Sequence, residues 1–258
     1  DPFSIDADRL LKALDEAYPA SVKVGGVSSG ADSPGGHALF SGEEVHREGA
    51  VILVLTGAAG IQPLVSQGCR PIGPRFVITK GERNVIGQLA GKPALVAIRE
   101  VLEGLKGRDR QLASTALMIG RVVDEAKGEF HRGDFLIRGL VGADEASGAV
   151  AVGDLIRRGQ TVQLQVRDGL TADEDLRALL SHREGELKTR PPAGALVFAC
   201  NGRGMGMYGD ADHDSRVLRE AVPGLPLGGF FCNGEVGPVG GRTFLHGFTS
   251  SVGFLTPR

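Results

Sequence analysis

Apolar positions Leu10, Leu11, Leu14 and Ala17 recur at helical spacing over residues 6–18, with Asp6 placed to cap the start and Pro19 beyond the end. The spacing predicts an amphipathic helix. Val22, Val24 and Val27 then predict a short strand entering the glycine-rich stretch Gly25 to Gly30. Leu39-Phe40 and Val45 flank Ser41-Gly42-Glu43-Glu44, which reads as a hairpin. Ala50 to Leu55 is an unbroken apolar run of the length and β-branching of a buried strand. Arg75–Thr79 and Val85-Ile86 read as strands, and Pro93 stands where a first helical turn tolerates it, ahead of a helix through Leu102. Residues 116–120, 135–138, 149–152 and 161–166 read as further strands, the last with clean alternation, and 172–181 reads as a helix. The charged run from His182 to Arg190, ended by Pro191-Pro192, reads as a surface loop. A strand at 195–199, a helix near 214–221 and strands at 227–231 and 243–252 complete the chain. Strands outnumber helices by more than two to one, many at hairpin spacing. That pattern predicts an α+β fold of mostly antiparallel and mixed sheets layered with helices rather than a doubly wound parallel sheet.

Composition narrows the class. The chain has 258 residues, 41% of them hydrophobic, enough to bury a sizeable core. Its 29 basic and 31 acidic side chains leave a net charge of −2, which excludes nucleic-acid binding by global charge. No apolar run approaches the roughly 18 residues of a membrane span. Three cysteines, Cys69, Cys200 and Cys232, make no disulfide framework in a chain this long. These features predict a cytoplasmic protein with neither nucleic acid nor membrane as partner. The chain opens at Asp1 rather than Met, and a missing N-terminal piece is the corresponding expectation.

The candidate chemistry lies near the C-terminal end. In Cys200-Asn201-Gly202-Arg203-Gly204 a strand delivers a cysteine to a glycine-rich turn carrying one arginine. Glycines let backbone amides approach a ligand, and a guanidinium grips a carboxylate or phosphate bidentately. The run lacks the lysine and hydroxyl of a phosphate loop and the spacing of a dinucleotide fingerprint. Cys232-Asn233-Gly234-Glu235-Val236-Gly237 repeats the design, with a glutamate in place of the arginine. Together the two loops offer handles for a small zwitterion, Arg203 for a carboxylate and Glu235 for an amine. The bland alternative is an Arg203–Glu235 pair that ties the loops together. His246, in Leu245-His246-Gly247-Phe248-Thr249, is the best-placed histidine for haem or metal, although a lone histidine among apolar neighbours is more often a satisfied core residue. Cys200, His213, Cys232 and His246 lack the short paired spacings of structural zinc, and no metal site is expected. The acidic loop Asp210-Ala-Asp212-His213-Asp214 lacks the distant glutamate of a calcium loop and reads as the cap of the helix that follows.

These segments, in this order, resemble the C-terminal half of the FIST domain, a family named for F-box and intracellular signal transduction proteins. The resembling runs are Cys200-Asn-Gly-Arg203-Gly, Gly228-Gly-Phe-Phe with Gly234-Glu235-Val-Gly-Pro238, and Leu245-His246-Gly-Phe-Thr249. Gly25-Gly26, the strand from Gly49 and Cys69-Arg-Pro-Ile-Gly73 through Lys80 are similar to the end of its N-terminal half, dividing the chain at 1–85 and 86–258. The resemblance implies a sensory module that binds a small molecule such as an amino acid. Some bacterial members of the family bind haem and sense nitric oxide, and some eukaryotic members follow an F-box. Neither an F-box nor a kinase or cyclase domain is visible here, so any output would pass to a signalling partner, and a homo-oligomer is an open expectation.

The expectation is a ligand site of Cys200, Asn201, Arg203, Gly204, Asn233, Glu235, Gly237, His246 and Thr249, with no catalytic residue and no cofactor. Three alternatives stay open: a haem-binding gas sensor, an enzyme with Cys200 or Cys232 as nucleophile, and a protein-interaction module without ligand.

Overall fold

Asp6 accepts a hydrogen bond from the Arg9 amide at 3.0 Å and caps the first helix, α1 (Ala7–Ala17), in the computed structural model, which describes residues 1–257. β1 (Gly25–Gly26), the hairpin β2 (Leu39–Ser41) and β3 (Glu44–His46), and β4 (Ala59–Gln67) follow. Next come β5 (Cys69–Glu82), β6 (Val85–Leu89), β7 (Lys92–Pro93), α2 (Ala94–Gly104), α3 (Gly107–Ala116), β8 (Leu117–Val122), β9 (Phe135–Asp144), β10 (Ala149–Val152) and β11 (Thr161–Arg167). The chain continues through α4 (Gly169–His182), α5 (Glu184–Thr189), β12 (Gly194–Cys200), α6 (Met205–Tyr208) and α7 (His213–Ala221). It closes with β13 (Leu227–Cys232), β14 (Glu235–Val239), β15 (Arg242–His246) and β16 (Thr249–Pro257). The architecture is α+β, and the chain packs as two units, one of Asp1–Gly68 with the segment from Ala172 onward, the other Cys69–Thr171.

The first unit is built on a four-stranded sheet in the order β13-β12-β16-β4. Alternation along the strands sends Ala195, Val252, Phe254 and Leu64 to one face, where they meet Leu176 and Leu180 of α4, Leu187 of α5, and Val217 and Leu218 of α7. The other face carries a three-stranded sheet, β1-β14-β15. The two sheets approach closely at glycines: a Cβ on Gly237 would lie 2.6 Å from Val65 and 2.8 Å from the Ser251 hydroxyl. β4 is an edge strand, which is why it tolerates Pro63, a residue that cannot donate to a ladder.

In the second unit the order β10-β9-β8-β11-β5-β6 closes on itself, because β10 also pairs with β6; β7 extends from β6. Closure removes the open edges of the six-stranded ring. Inward-facing Ile72, Ile78, Ile86, Ile119, Val162, Leu164 and Val166 form its core with Ala97 and Ile98 of α2. Asp168, just before α4, is buried and gathers Arg70, Arg108 and the Thr171 hydroxyl. Burial alone would raise its pKa, but the hydrogen bonds from Thr171 and Arg70 and the charge of Arg108 hold it below the usual carboxylate range.

Several elements depart from the pattern. Ala50 to Leu55 forms no strand, and residues 50–54 are exposed, with Leu53 at 78%. An apolar run satisfies a strand's composition without a neighbouring strand for its backbone to pair with. The strand expected over Val22–Val27 is reduced to Gly25–Gly26. α3 escaped the periodicity because its sequence, GRDRQLASTA, buries only Ala113. α5 occupies the charged run read as a loop. β4 was hidden by the glycine and proline that punctuate it. The single strand expected at 243–252 is two, β15 and β16, separated by a turn at Gly247-Phe248.

Candidate functional site

The two Cys-Asn-Gly segments end the parallel pair of the first unit's sheet. β12 and β13 run parallel with Cys200 opposite Cys232, so the repeated tripeptides stand side by side. The Asn201 amide donates to the Cys232 carbonyl at 3.0 Å, and its side-chain amide donates to the Asn233 side chain at 2.6 Å. Val27 clamps the second turn, donating to Gly234 O at 2.9 Å and accepting from the Asn233 amide at 3.1 Å. Carboxyl ends of parallel strands are the common place for ligands in α/β sheets.

Arg203 turns inward on the helix side of this sheet and is 1% exposed. Its Nε and Nη2 donate to the two carboxylate oxygens of Asp214 at 2.6 and 3.0 Å, a bidentate pair closed by the chain folding back from α7. Its guanidinium carbon stands 5.5 Å from the Tyr208 ring centroid, and that ring stacks on His213 at 3.6 Å. His213 Nδ1 lies 3.1 Å from Asp214 and Nε2 2.9 Å from Asp173 of α4, so a continuous polar chain joins β12, α7 and α4. Burial works against the Arg203 charge, but the charge of Asp214 and its hydrogen bonds prevail and raise the Arg203 pKa. Burial would likewise raise Asp214, and the Arg203 charge overcomes it to hold the carboxyl low.

Arg203 therefore pairs with Asp214, not with Glu235. Glu235 is fully buried between the two sheets, where its Oε2 accepts from the Thr249 amide at 3.0 Å and the Thr249 hydroxyl at 2.8 Å. Its register partner on β15 is His246, also buried, with Nε2 3.0 Å from Gly237 O. Phe248 holds a left-handed φ of 66°, fixed on either side by the Gly68 amide bonding to its carbonyl and by Thr249 bonding to Glu235. The nine expected residues thus separate. Cys200, Asn201 and Asn233 hold the strand ends, Arg203 and Gly204 lie on the helix side, and Glu235, Gly237, His246 and Thr249 lie between the sheets.

This geometry bears on the alternatives. A haem ligated by His246 does not fit, because that ring is buried between sheets with its Nε2 turned to a backbone carbonyl. Burial, and then the nearby Glu235 charge, push the Cys232 thiol well up, opposite to what a nucleophile needs. Among the described residues no three His, Cys, Asp or Glu side chains gather as a metal site. Cys232 is also tightly covered: a Cβ on Gly26 would lie 2.1 Å from its Sγ. Gly26→Ala is accordingly expected to destabilise the protein by about 1–3 kcal/mol. Adding Cys232→Ala should recover part of that loss in a urea titration, and an undiminished loss would mean Cys232 is not the obstacle.

One cleft opens on this end of the sheet. It has a volume of about 400 Å³ between α7 and β13. Gly228 and Gly229 form its floor, Phe231 an apolar wall, and Gly204, Asp212, Asp214, Ser215 and Arg219 its polar side, whereas the Phe230 ring lies on the other face of β13 against Phe198. Asp212, Ser215 and Arg219 fall three and four residues apart and share one helix face. Asp214 is committed to Arg203, but the side chains of Asp212 and Arg219 make no ion pair among the described residues. A second cleft of about 420 Å³ along α4, α5 and α7 has its charges spent on each other, Arg177 with Glu220 and Lys188 with Glu184. Asp212, Ser215 and Arg219 were not expected as site residues. In sequence they read as the cap and the polar face of an ordinary helix.

Fold and site together define an α+β protein with a small-molecule-sized cleft at the carboxyl ends of a parallel strand pair. The FIST N domain matches residues 1–92 and the FIST C domain residues 94–238. The chain belongs to the FIST family, whose domains serve sensing and signal transduction. An uncharacterized protein of Mycobacterium tuberculosis strain H37Rv is 44% identical over 252 residues, covering 98% of this chain and 65% of that protein. An uncharacterized protein of Mycobacterium bovis gives the same identity and coverage. The chain thus spans about two thirds of the length of these relatives. Among the described residues no helix is long and apolar enough to cross a membrane.

Proposed function

We propose that this chain is a sensory module that binds a small amino-acid-like zwitterion in the cleft between α7 and β13. The observation that carries the reading is the pairing of an uncommitted carboxylate, Asp212, with an uncommitted guanidinium, Arg219, on one side of a cleft of about 400 Å³. Arg219 receives the ligand carboxylate, Asp212 the ammonium, and Phe231 the apolar side chain. The glycine floor lets the ligand lie close to the β13 backbone. Of the residues expected from sequence, Gly204 lines this cleft, and Arg203 acts on it through Asp214. The strand ends at Cys200, Asn201 and Asn233 set the spacing of its walls, while Glu235, Gly237, His246 and Thr249 brace the sheet from behind. Binding would be read out by a signalling partner through α7, which carries Arg219 and starts immediately after Asp212.

Titration calorimetry against individual amino acids tests this reading. Arg219→Ala should weaken binding by at least about tenfold, which corresponds to roughly 1.4 kcal/mol, with the unfolding midpoint unchanged because Arg219 is exposed. Equal affinity in the wild type and the variant would remove the cleft from the account.

A further inference from the structure

The repeated Cys-Asn-Gly segments have a chemistry that ligand binding does not use. Cys200 and Cys232 are direct Cα partners in the parallel β12–β13 ladder, so their side chains leave the same face of the sheet. Neighbouring strands run about 4.8 Å apart, within the Cα separation of about 4.4–6.8 Å that a disulfide spans. Both residues are thiols in the structure.

The two differ in access. Cys232 is fully buried, covered by β1 at Gly26, and its Sγ donates to the Phe230 carbonyl at 3.4 Å. Cys200 is half-buried at the strand end, within the electrostatic reach of the Arg203 guanidinium. A water-borne oxidant therefore meets Cys200 first. The Cys200 sulfur also bears electrostatically on the Cys232 thiol, as expected of close neighbours.

From this arrangement we infer that Cys200 and Cys232 form an oxidisable dithiol, in which a hydroperoxide oxidises Cys200 and Cys232 converts the product to a disulfide joining the two Cys-Asn-Gly turns. In the first step the Cys200 thiolate attacks the peroxide. An S–O bond forms, the O–O bond breaks, and hydroxide leaves, giving a sulfenic acid on Cys200. In the second step the Cys232 thiol, held beside the sulfenic acid by the strand register, displaces the sulfenic oxygen as it gives up its proton, so no free Cys232 thiolate is needed. The S–S bond forms, the S–O bond breaks, and the departing hydroxide takes the Cys232 proton and leaves as water. In sum, two thiols and one hydrogen peroxide give one disulfide and two waters, with the sulfurs oxidised by two electrons and the peroxide oxygens reduced. The bond would lock together the ends of the two strands whose opposite face floors the cleft. Cys69, buried in the second unit, takes no part.

The experiment is to treat the whole chain with a small excess of hydrogen peroxide, stop the reaction with catalase, and count thiols in denaturant. The expected count falls from three to one. Peptide mapping should find Cys200 linked to Cys232 within one chain, and dithiothreitol should restore all three thiols. In Cys232→Ser the sulfenic acid should persist on Cys200 and be captured by dimedone. In Cys200→Ser both remaining thiols should survive. Three surviving thiols in the treated wild type would overturn the inference. So would a link through Cys69, a link between chains, or oxidation of Cys200 beyond the sulfenic acid without a disulfide. The wild-type mapping decides the matter even if a serine variant fails to fold.

Discussion

Asp214→Ala is expected to cost about 3–5 kcal/mol of folding stability, because it strands the Arg203 guanidinium in a site with almost no solvent access. Asp214 is the acceptor for two of Arg203's donors and also faces His213, so one truncation opens the chain that links β12, α7 and α4. Urea unfolding followed by circular dichroism measures the loss, and a change under about 1 kcal/mol would contradict it. The double variant Arg203→Met with Asp214→Leu should lose less than Asp214→Ala alone, since it removes both charges and leaves neither uncompensated. The pH dependence has a definite sign. The Asp214 pKa is lowered by folding, so its stabilising contribution is fully present above the unfolded carboxylate pKa of about 3.9. It is lost as the pH falls through the lower folded value. Acid should therefore unfold the wild type more steeply than the double variant.

Gly229→Ala is the second change with a large expected effect. A Cβ there would lie 1.9 Å from the Val197 carbonyl oxygen and 2.7 Å from its carbon, with φ at +152°. Those are backbone atoms of the neighbouring strand and cannot rotate aside. The β12–β13 ladder must part locally, at a cost of about 3 kcal/mol or more from overpacking and strain together. The cleft floor moves with it, so ligand affinity should fall as well. Gly228→Ala is the control: its added Cβ would meet only the Leu196 Cδ2 at 3.8 Å. It should change stability by no more than about 0.5 kcal/mol. Equal effects at both positions would show that the contact with Val197 is not what demands glycine at 229.

Much of the fold was legible where local pattern and tertiary packing agree. α1 carries its cap and its apolar stripe in sequence, and β11 alternates because one face of it meets the core of the second unit. The run at 50–55 misled for the opposite reason: composition is local, whereas a strand needs a partner. The family resemblance and the repeated Cys-Asn-Gly segments were also readable. That the repeats lie in register was not, because parallel pairing joins residues 32 positions apart through an intervening crossover. Arg203 stood out as a charged residue in a glycine turn, but its partner sits eleven positions on, in a helix that folds back over it. Glu235 looked equally available, yet a threonine fourteen residues later holds it between two sheets. Arg219 gave no signal at all. An arginine on the polar face of a helix becomes a candidate ligand only when a glycine-floored strand is laid opposite it.

The most direct test of the account is native mass spectrometry of the protein equilibrated with an equimolar mixture of the standard amino acids. The wild type should carry a discrete excess mass of one amino acid that disappears on denaturation, and Arg219→Ala should carry little or none. A wild type with no excess mass at saturating concentrations, or an excess fully retained by Arg219→Ala, would contradict a zwitterion-binding cleft between α7 and β13.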